Sequence, residues 1–230
     1  MSRPRLLDLF SCAGGAAMGY HRAGFDVVGV DINPQPRYPF EHHVGDALAF
    51  LAEHGHEFDA IHASPPCQAY TAAAAFNPDV KHPDLLAPTR DALESLGKPY
   101  IIENVTGAPM GNYVTLCGTE FGLRARDLDG RELQLQRHRQ FESNVWLWGA
   151  GGCQHDPELQ TASVFGYGGG MTPEYRDSPT RSKGYVPHVS VCAALIGADW
   201  MNKRELSECI PPAYTEFLGG QLLAQLAVTA

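Results

Sequence analysis

A chain of 230 residues, 44% of them hydrophobic, is long enough for one sizeable core with a small lobe added. Its net charge of −9 argues on its face against a nucleic-acid partner, and six scattered cysteines argue against a disulfide framework. Asp8 interrupts the apolar patch of M-S-R-P-R-L-L-D-L-F before it reaches signal-peptide length, and no segment approaches the ~18 apolar residues of a membrane helix, so a cytoplasmic protein without a membrane partner is expected.

The runs L-L-D-L-F (6–10), D-V-V-G-V-D (26–31), F-D-A-I-H-A (58–63) and P-Y-I-I-E-N-V (99–105) are short and rich in β-branched or aromatic residues, as buried strands are. Helical segments at about 16–23, 47–54 and 84–97 lie between them. The alternation predicts βαβ units on a mostly parallel sheet, hence a doubly wound α/β fold. Further on, E-L-Q-L-Q-R-H-R-Q-F-E (132–142) alternates with period two and reads as one strand, joined through Ser143 to a second at N-V-W-L-W (144–148). Gly149 to about Val191 reads as loop, rich in glycine and proline, and helices return at 203–208 and 212–226. These segments suggest a catalytic part at 1–149, a small recognition region at 150–191 and a C-terminal segment at 192–230.

The charge is uneven. Arg124, Arg126, Arg131, Arg137 and Arg139 form one basic region; Arg176, Arg181, Lys183, Lys203 and Arg204 form a second. Cys153-x-His155 has metal-ligand character, but no second pair with suitable spacing accompanies it, so no metal is expected.

Gly14 and Gly15 of D-L-F-S-C-A-G-G-A-A-M-G-Y fall between the first strand and the first helix, where a tight turn lets backbone approach a ligand at the carboxyl edge of the sheet. Asp31 ends the second strand, where a ribose partner would sit, and Gly45-Asp46-Ala47 follows the next apolar position. The turn lacks the G-x-G-x-x-G cradle of a dinucleotide site. S-adenosylmethionine, with a ribose and an adenine but no phosphate, suits it better.

S-P-P-C-Q follows the fourth strand, so Pro65 and Pro66 stiffen a corner that projects Cys67 at the same edge. Glu103 and Asn104 end the fifth strand there. On a single strand, Arg137 and Arg139 would share a face. A thiol, a carboxyl group and guanidinium groups beside a methyl donor fit methylation at carbon 5 of cytosine. A thiolate adding at carbon 6 makes carbon 5 nucleophilic, a carboxyl group at N3 and the exocyclic amine stabilises the adduct, and an arginine donates to O2.

The motifs D-L-F-S-C-A-G-G, G-V-D-I, G-D-A-L, S-P-P-C-Q, I-E-N-V, R-H-R-Q-F-E and I-P-P-A-Y-T-E-F-L-G occur in one order along nearly the whole chain except about 150–190. In them the chain resembles the DNA (cytosine-5)-methyltransferases, and its shortness resembles the phage and prophage members. The resemblance implies Cys67 as nucleophile, Glu103 at N3, Arg139 on the base and Arg137 nearby on phosphate, with Pro66 and Gln68 shaping the corner and Asn104 buttressing it. For the cofactor it implies Phe10, the backbone of Ser11, Cys12, Ala13, Gly14 and Gly15, Asp31 on the ribose, Ile32 against the adenine and Asp46 on its amine beside Ala47. Tyr214 and Thr215 would close that site. Cys12 replaces the family's usual glycine, and Leu135 stands where the family has glutamine, flanked by Gln134 and Gln136.

The expected partner is double-stranded DNA, met by a monomer that flips its target base, with RNA cytosine as the alternative substrate and a binding module without turnover as another. Ala69 to Phe76 reads equally as a mobile lid or the start of a helix, with Tyr70 and Phe76 as wedges or core. The segment 165–184 reads as a groove-contacting loop.

Overall fold

The protein is described by a computed structural model that covers residues 2–70, 83–164 and 185–229. Strands β1 (Arg5–Leu9), β2 (Asp26–Asp31), β3 (Glu41–Val44), β4 (Ala60–Ala63) and β5 (Tyr100–Asn104) alternate with helices α1 (Gly15–Ala23), α2 (Ala47–His54) and α3 (Leu86–Leu96). The chain continues through β6 (Tyr113–Leu116), β7 (Arg124–Arg126), β8 (Glu132–Gln134), β9 (Arg139–Ser143) and β10 (Gln160–Thr161). It ends in α4 (Val189–Ile196), α5 (Lys203–Glu208) and α6 (Pro212–Thr229).

Seven strands form the main sheet in the order β3-β2-β1-β4-β5-β9-β6, in which β1 to β5 pair in parallel and β9 runs antiparallel to both its neighbours. The doubly wound expectation holds because the early strands are apolar on both faces. Leu6 packs with Ala17, Tyr20, Tyr214 and Leu218 on the side of α1 and α6, whereas Leu7 and Leu9 pack with Leu51, Leu86 and Leu93 under α2 and α3. From β1 the chain moves outward to β2 and β3, then returns across to β4 and β5. The carboxyl ends of β1 and β4 therefore flank a topological switch point, where an open α/β sheet leaves a crevice.

The second half departs from the sequence reading. The predicted strand 132–142 is two strands in two sheets: β8 joins β7 and β10 in a three-stranded sheet, and β9 joins the main one. Leu133 and Leu135 are buried with Leu195, Ile196 and Leu206 in the small lobe, while Phe141 is buried in the main core. The period-two pattern thus spans a crossing between lobes, and Arg137 lies on that crossing rather than on a shared strand face with Arg139. The small lobe gathers 124–134, 160–164 and 185–209, a wider set than 150–191. Residues 144–148 are not a strand; Asn144 caps the edge by accepting from Tyr100 N at 2.9 Å and donating to Lys98 O at 2.9 Å. Helix α4, V-S-V-C-A-A-L-I, begins at the end of the expected loop and was not anticipated.

Among the described residues no helix is long and apolar enough to cross a membrane. The first basic region is not an open cationic face. Arg124, Arg126 and Arg131 pair with Asp156, Glu132 and Asp129, and Arg131 also lies over the Tyr185 ring. Of the second region, Arg176, Arg181 and Lys183 lie outside the described residues, as do Phe76 and the loop 165–184. Lys203 donates to Cys192 Sγ, and Arg204 faces Glu208.

Helices α1 and α6 approach closely because Gly19 has no side chain at their contact. A Cβ there would sit 2.0 Å from Thr215 Oγ1 and 2.2 Å from Pro212 O, and the second of these is backbone. Gly19→Ala is expected to lower the unfolding free energy by about 3 kcal/mol, the upper part of the range for overpacked sites, measured by denaturant titration. An unchanged midpoint would mean that the two helices separate at little cost.

Candidate active site

The turn after β1 is strained. Phe10 (φ 57°) and Cys12 (φ 45°) both adopt left-handed backbone without being glycine, and Gly14 follows at φ 82°. Cys12 therefore occupies a conformation that glycine takes without cost, which is the physical content of its departure from the family pattern. Strand β2 holds the turn: Ser11 N donates to Val30 O at 3.1 Å and Cys12 N to Asp31 Oδ2 at 3.0 Å. Trp200 Nε1 donates to Ala13 O at 2.9 Å from the small lobe. Gly15 lets α1 start against the chain at 209–210, since a Cβ would fall 2.5 Å from Ile210 O.

Around this turn stand the other predicted cofactor positions. Asp31 is buried and also accepts from Asn33 N at 2.9 Å, while Ile32 beside it is 66% exposed, an apolar side chain left open at the sheet edge. Asp46 is exposed and caps α2, accepting from Ala49 N at 2.8 Å. The Ser11 hydroxyl is buried and has no hydrogen-bond partner among the described residues, an uncommon state for a buried polar atom. Three further predicted cofactor positions are buried. Ala47 is buried in the core beneath α2. Tyr214 and Thr215 are fully buried, with their hydroxyls donating to Arg137 O at 2.6 Å and Ala16 O at 2.9 Å. Both hydroxyls are thus engaged within the fold, Tyr214 at the crossing and Thr215 against α1.

The corner beside the turn carries the thiol. Ser64 N continues the β1–β4 pairing by donating to Leu9 O at 3.1 Å, and Asn104 Nδ2 donates to Pro65 O at 3.1 Å, which holds the proline pair. Pro66 and Cys67 are half-buried, and Gln68 is exposed where a short 3-10 turn (Gln68–Tyr70) begins. Tyr70 packs against the core and donates to Asp84, which favours its role as core over wedge; whether 71–76 form a lid or a helix lies outside the described residues.

Glu103, buried at the end of β5, forms an ion pair with Arg139, Nε to Oε1 at 2.9 Å. Burial raises the Glu103 carboxyl above the ordinary range, while Arg139, Arg137 and a hydrogen bond from Ser64 pull it down. Behind it runs a chain that the sequence reading missed: Ser64 Oγ lies 2.9 Å from His62 Nε2, and His62 Nδ1 lies 3.0 Å from Tyr20 Oη. Burial pushes His62 down to about 3, so it is neutral. With Tyr20 donating to Nδ1, the proton of the ring sits on Nε2 and the Ser64 hydroxyl is directed at Glu103. A histidine inside the apolar run A-I-H-A was the available signal.

Arg137 is placed differently from expectation. It is only 2% exposed and donates to Val164 O at 3.2 Å and Ser207 O at 2.7 Å, so it ties the lobes together. Burial pushes its guanidinium down to about 9. The Cys67 thiol is pushed up by burial and by Glu103, and drawn down by Arg139 and Arg137. Leu135 is buried in the small lobe, and Gln134 bonds to Asp156 and Leu159. Gln136 is the half-exposed glutamine of this segment.

Away from the crevice, Cys117, His138, Cys153 and His155 bring four potential ligand atoms within 4.8 Å of one another. Cys117 and His138 thus supply the second pair that spacing alone did not reveal.

The chain is 30% identical over 130 residues, 49% of its length, to the type II methyltransferase M.XorII of Xanthomonas oryzae pv. oryzae, and the match spans 31% of that relative. No family model matches. Among solved structures, a candidate DNA modification methyltransferase encoded within a prophage of E. coli superposes with TM-score 0.59 at 16% identity, covering 97% of this chain and 99% of that one. The fold is that of the methyltransferases. The Dnmt2 methyltransferase of S. pombe gives TM-score 0.59 at 15% identity over 98% of this chain and 99% of that one, and the Entamoeba histolytica methyltransferase EhMeth gives 0.51 at 14% over 100% and 99%. The resemblance read from the motifs is therefore met by a relative in sequence and by methyltransferases in fold.

The electrostatics of the corner are testable at the thiol. Alkylation of Cys67 by iodoacetamide, followed on its own peptide by mass spectrometry, is expected to rise with pH to a midpoint above the usual thiol value of about 8.5, because only the thiolate reacts. Glu103→Gln removes the neighbouring anion and leaves both guanidinium groups, so the midpoint should fall. A midpoint that rises in that variant would contradict the arrangement.

Proposed function

We propose that this chain transfers a methyl group from S-adenosylmethionine to carbon 5 of cytosine in DNA through a covalent adduct between Cys67 and carbon 6 of a flipped base. The observation that carries this reading is the buried Glu103–Arg139 pair at the strand ends beside the Cys67 corner. Cytosine presents an exocyclic amine, an unprotonated N3 and O2 along one edge. A carboxyl group that can accept from the amine and give its proton to N3, next to a guanidinium that donates to O2, matches that edge; a base with a proton on N3 does not.

The residues of the turn fit the cofactor. Asp31 has carboxylate lone pairs for the ribose, Ile32 is an open apolar face for the adenine, and the buried Ser11 hydroxyl has its hydrogen-bonding capacity in hand. When bound, S-adenosylmethionine supplies an electrophilic methyl group. Cys67 as thiolate adds to carbon 6 while Glu103 delivers its proton to N3, and the electron pair gathered at carbon 5 takes the methyl group. A base then takes the carbon 5 proton, the thiolate leaves carbon 6 and N3 returns its proton to Glu103, which restores the ring. Burial raises the Glu103 carboxyl, the direction that favours its carrying that proton.

A duplex containing 5-fluorocytosine is expected to trap Cys67 in an adduct that survives denaturation, since fluorine at carbon 5 cannot leave as a proton does. Cys67→Ser should abolish the adduct while still binding S-adenosylmethionine. Trapping on fluorinated RNA but not DNA would move the substrate to RNA. Cofactor binding without any adduct on either would sink the catalytic reading.

A further inference from the structure

Cys117 follows β6 and caps the 3-10 turn Gly118–Phe121, His138 lies on the crossing between β8 and β9, and Cys153 and His155 lie on the segment after Gly151 and Gly152. Cys117 Sγ is 3.3 Å from His155 Nε2, and His138 Nε2 is 3.1 Å from Cys153 Sγ. The two imidazole rings meet edge to face, centroids 5.2 Å apart, and both present Nε2 to the sulfurs. A tetrahedral ion with metal–sulfur bonds of about 2.3 Å and metal–nitrogen bonds of about 2.0–2.1 Å separates its ligand atoms by roughly 3.4–3.8 Å. The cluster has the chemistry and nearly the spacing of such a shell.

We propose that Cys117, His138, Cys153 and His155 bind one zinc ion in a closed, tetrahedral structural site. Two thiolates and two neutral imidazoles balance the charge of a divalent ion, and a mixed sulfur–nitrogen tetrahedron selects zinc over hard cations. Binding releases the two thiol protons.

An outer shell is already built. Thr119 Oγ1 lies 3.2 Å from Cys117 Sγ and accepts from Gln154 N at 3.1 Å, which leaves its hydroxyl hydrogen for the sulfur. Glu120 accepts from Cys117 N at 2.6 Å and from Gly152 N at 2.8 Å, joining the two halves of the site through one carboxylate. The ion would fasten a segment without regular structure, 149–156, to the end of β6 and to the crossing. That crossing leads into Arg139, the first residue of β9, whose Nη1 donates to His138 O at 2.8 Å, so the metal would also fix the approach of Arg139 to Glu103.

The test is metal content of the full chain purified under reducing conditions without chelator. About one zinc per chain is expected by elemental analysis, and cobalt exchanged into the site should give thiolate-to-cobalt charge-transfer absorption with the intense visible bands of a tetrahedral centre. The double variant Cys153→Ser, His155→Ala removes two exposed ligands and should weaken metal binding at least about tenfold, while His54→Ala, a histidine elsewhere, keeps full occupancy. A folded parent chain that takes up neither zinc nor cobalt would overturn the proposal, as would a Cys117–Cys153 disulfide in its place. Equal metal in the double variant and the parent would overturn it too, by assigning the metal to other groups.

Discussion

A carboxyl group buried at the end of an interior strand of a sheet has to be held by a cation or surrender its charge, and in this chain Glu103 is held by Arg139. The register follows from that need. Strand β9 pairs antiparallel with β5, Phe141 opposite Glu103 and Gln140 opposite Asn104, which brings Arg139 to the carboxyl edge just past the last paired residue. Everything that fixes Arg139 therefore fixes the site. Arg137 is tied to carbonyls at Val164 and Ser207, its own carbonyl accepts from Tyr214, and His138 enters the sulfur–imidazole cluster. Three consecutive residues take three unlike jobs because they carry the chain between two hydrophobic cores.

The same pair couples the two acid–base groups. Ionised Glu103 opposes a thiolate at Cys67, and the two guanidinium groups favour one. A proton moving onto Glu103 cancels the opposing charge and leaves the favouring ones. The thiol is then easiest to ionise when the carboxyl group is ready to serve N3, so one proton supports both parts of the proposed adduct step. The Tyr20–His62–Ser64 chain adds direction: with a neutral histidine it aims a hydroxyl at Glu103 from behind, away from the crevice.

How much of this the sequence revealed depends on the range of the interactions. Strands β1, β2, β4 and β5 and helices α1, α2 and α5 were legible because their patterns are local. Cys67, Glu103, Asp31 and the glycine turn were legible because each sits at the end of such an element. The crossing was not: L-Q-L-Q-R-H-R-Q-F alternates whether it lies in one sheet or passes between two, and only Leu135 and Phe141 entering different cores separates the cases. Helix α4 was hidden because V-S-V-C-A-A-L-I is buried on most sides and shows no helical period. The four ligand atoms were hidden because they come from three places far apart in the chain. The fold alone brings Cys117 and His138 to Cys153 and His155.

The turn after β1 shows how a strained element is kept. Left-handed backbone at Phe10 and Cys12 costs about 1–3 kcal/mol each. A hydrogen bond to the charged Asp31 offsets about 1.5–3 kcal/mol, and the Ser11–Val30 bond about 0.5–1.5 kcal/mol. Those two sums are similar, so the conformation survives without a ligand but with little margin. Both bonds come from the end of β2, and β2 keeps its place because Gly29 lets the Tyr38 ring lie over it while the Tyr38 hydroxyl donates to buried Asp8 at 3.2 Å. Asp31 clamps Cys12 and Asn33 with lone pairs aimed at the backbone, and in the proposed cofactor role its remaining lone pairs would accept from the ribose. A ligand that engages them orders the same group that holds the turn. In that way the proposed cofactor binding and the stability of the strained loop would reinforce each other through a single side chain.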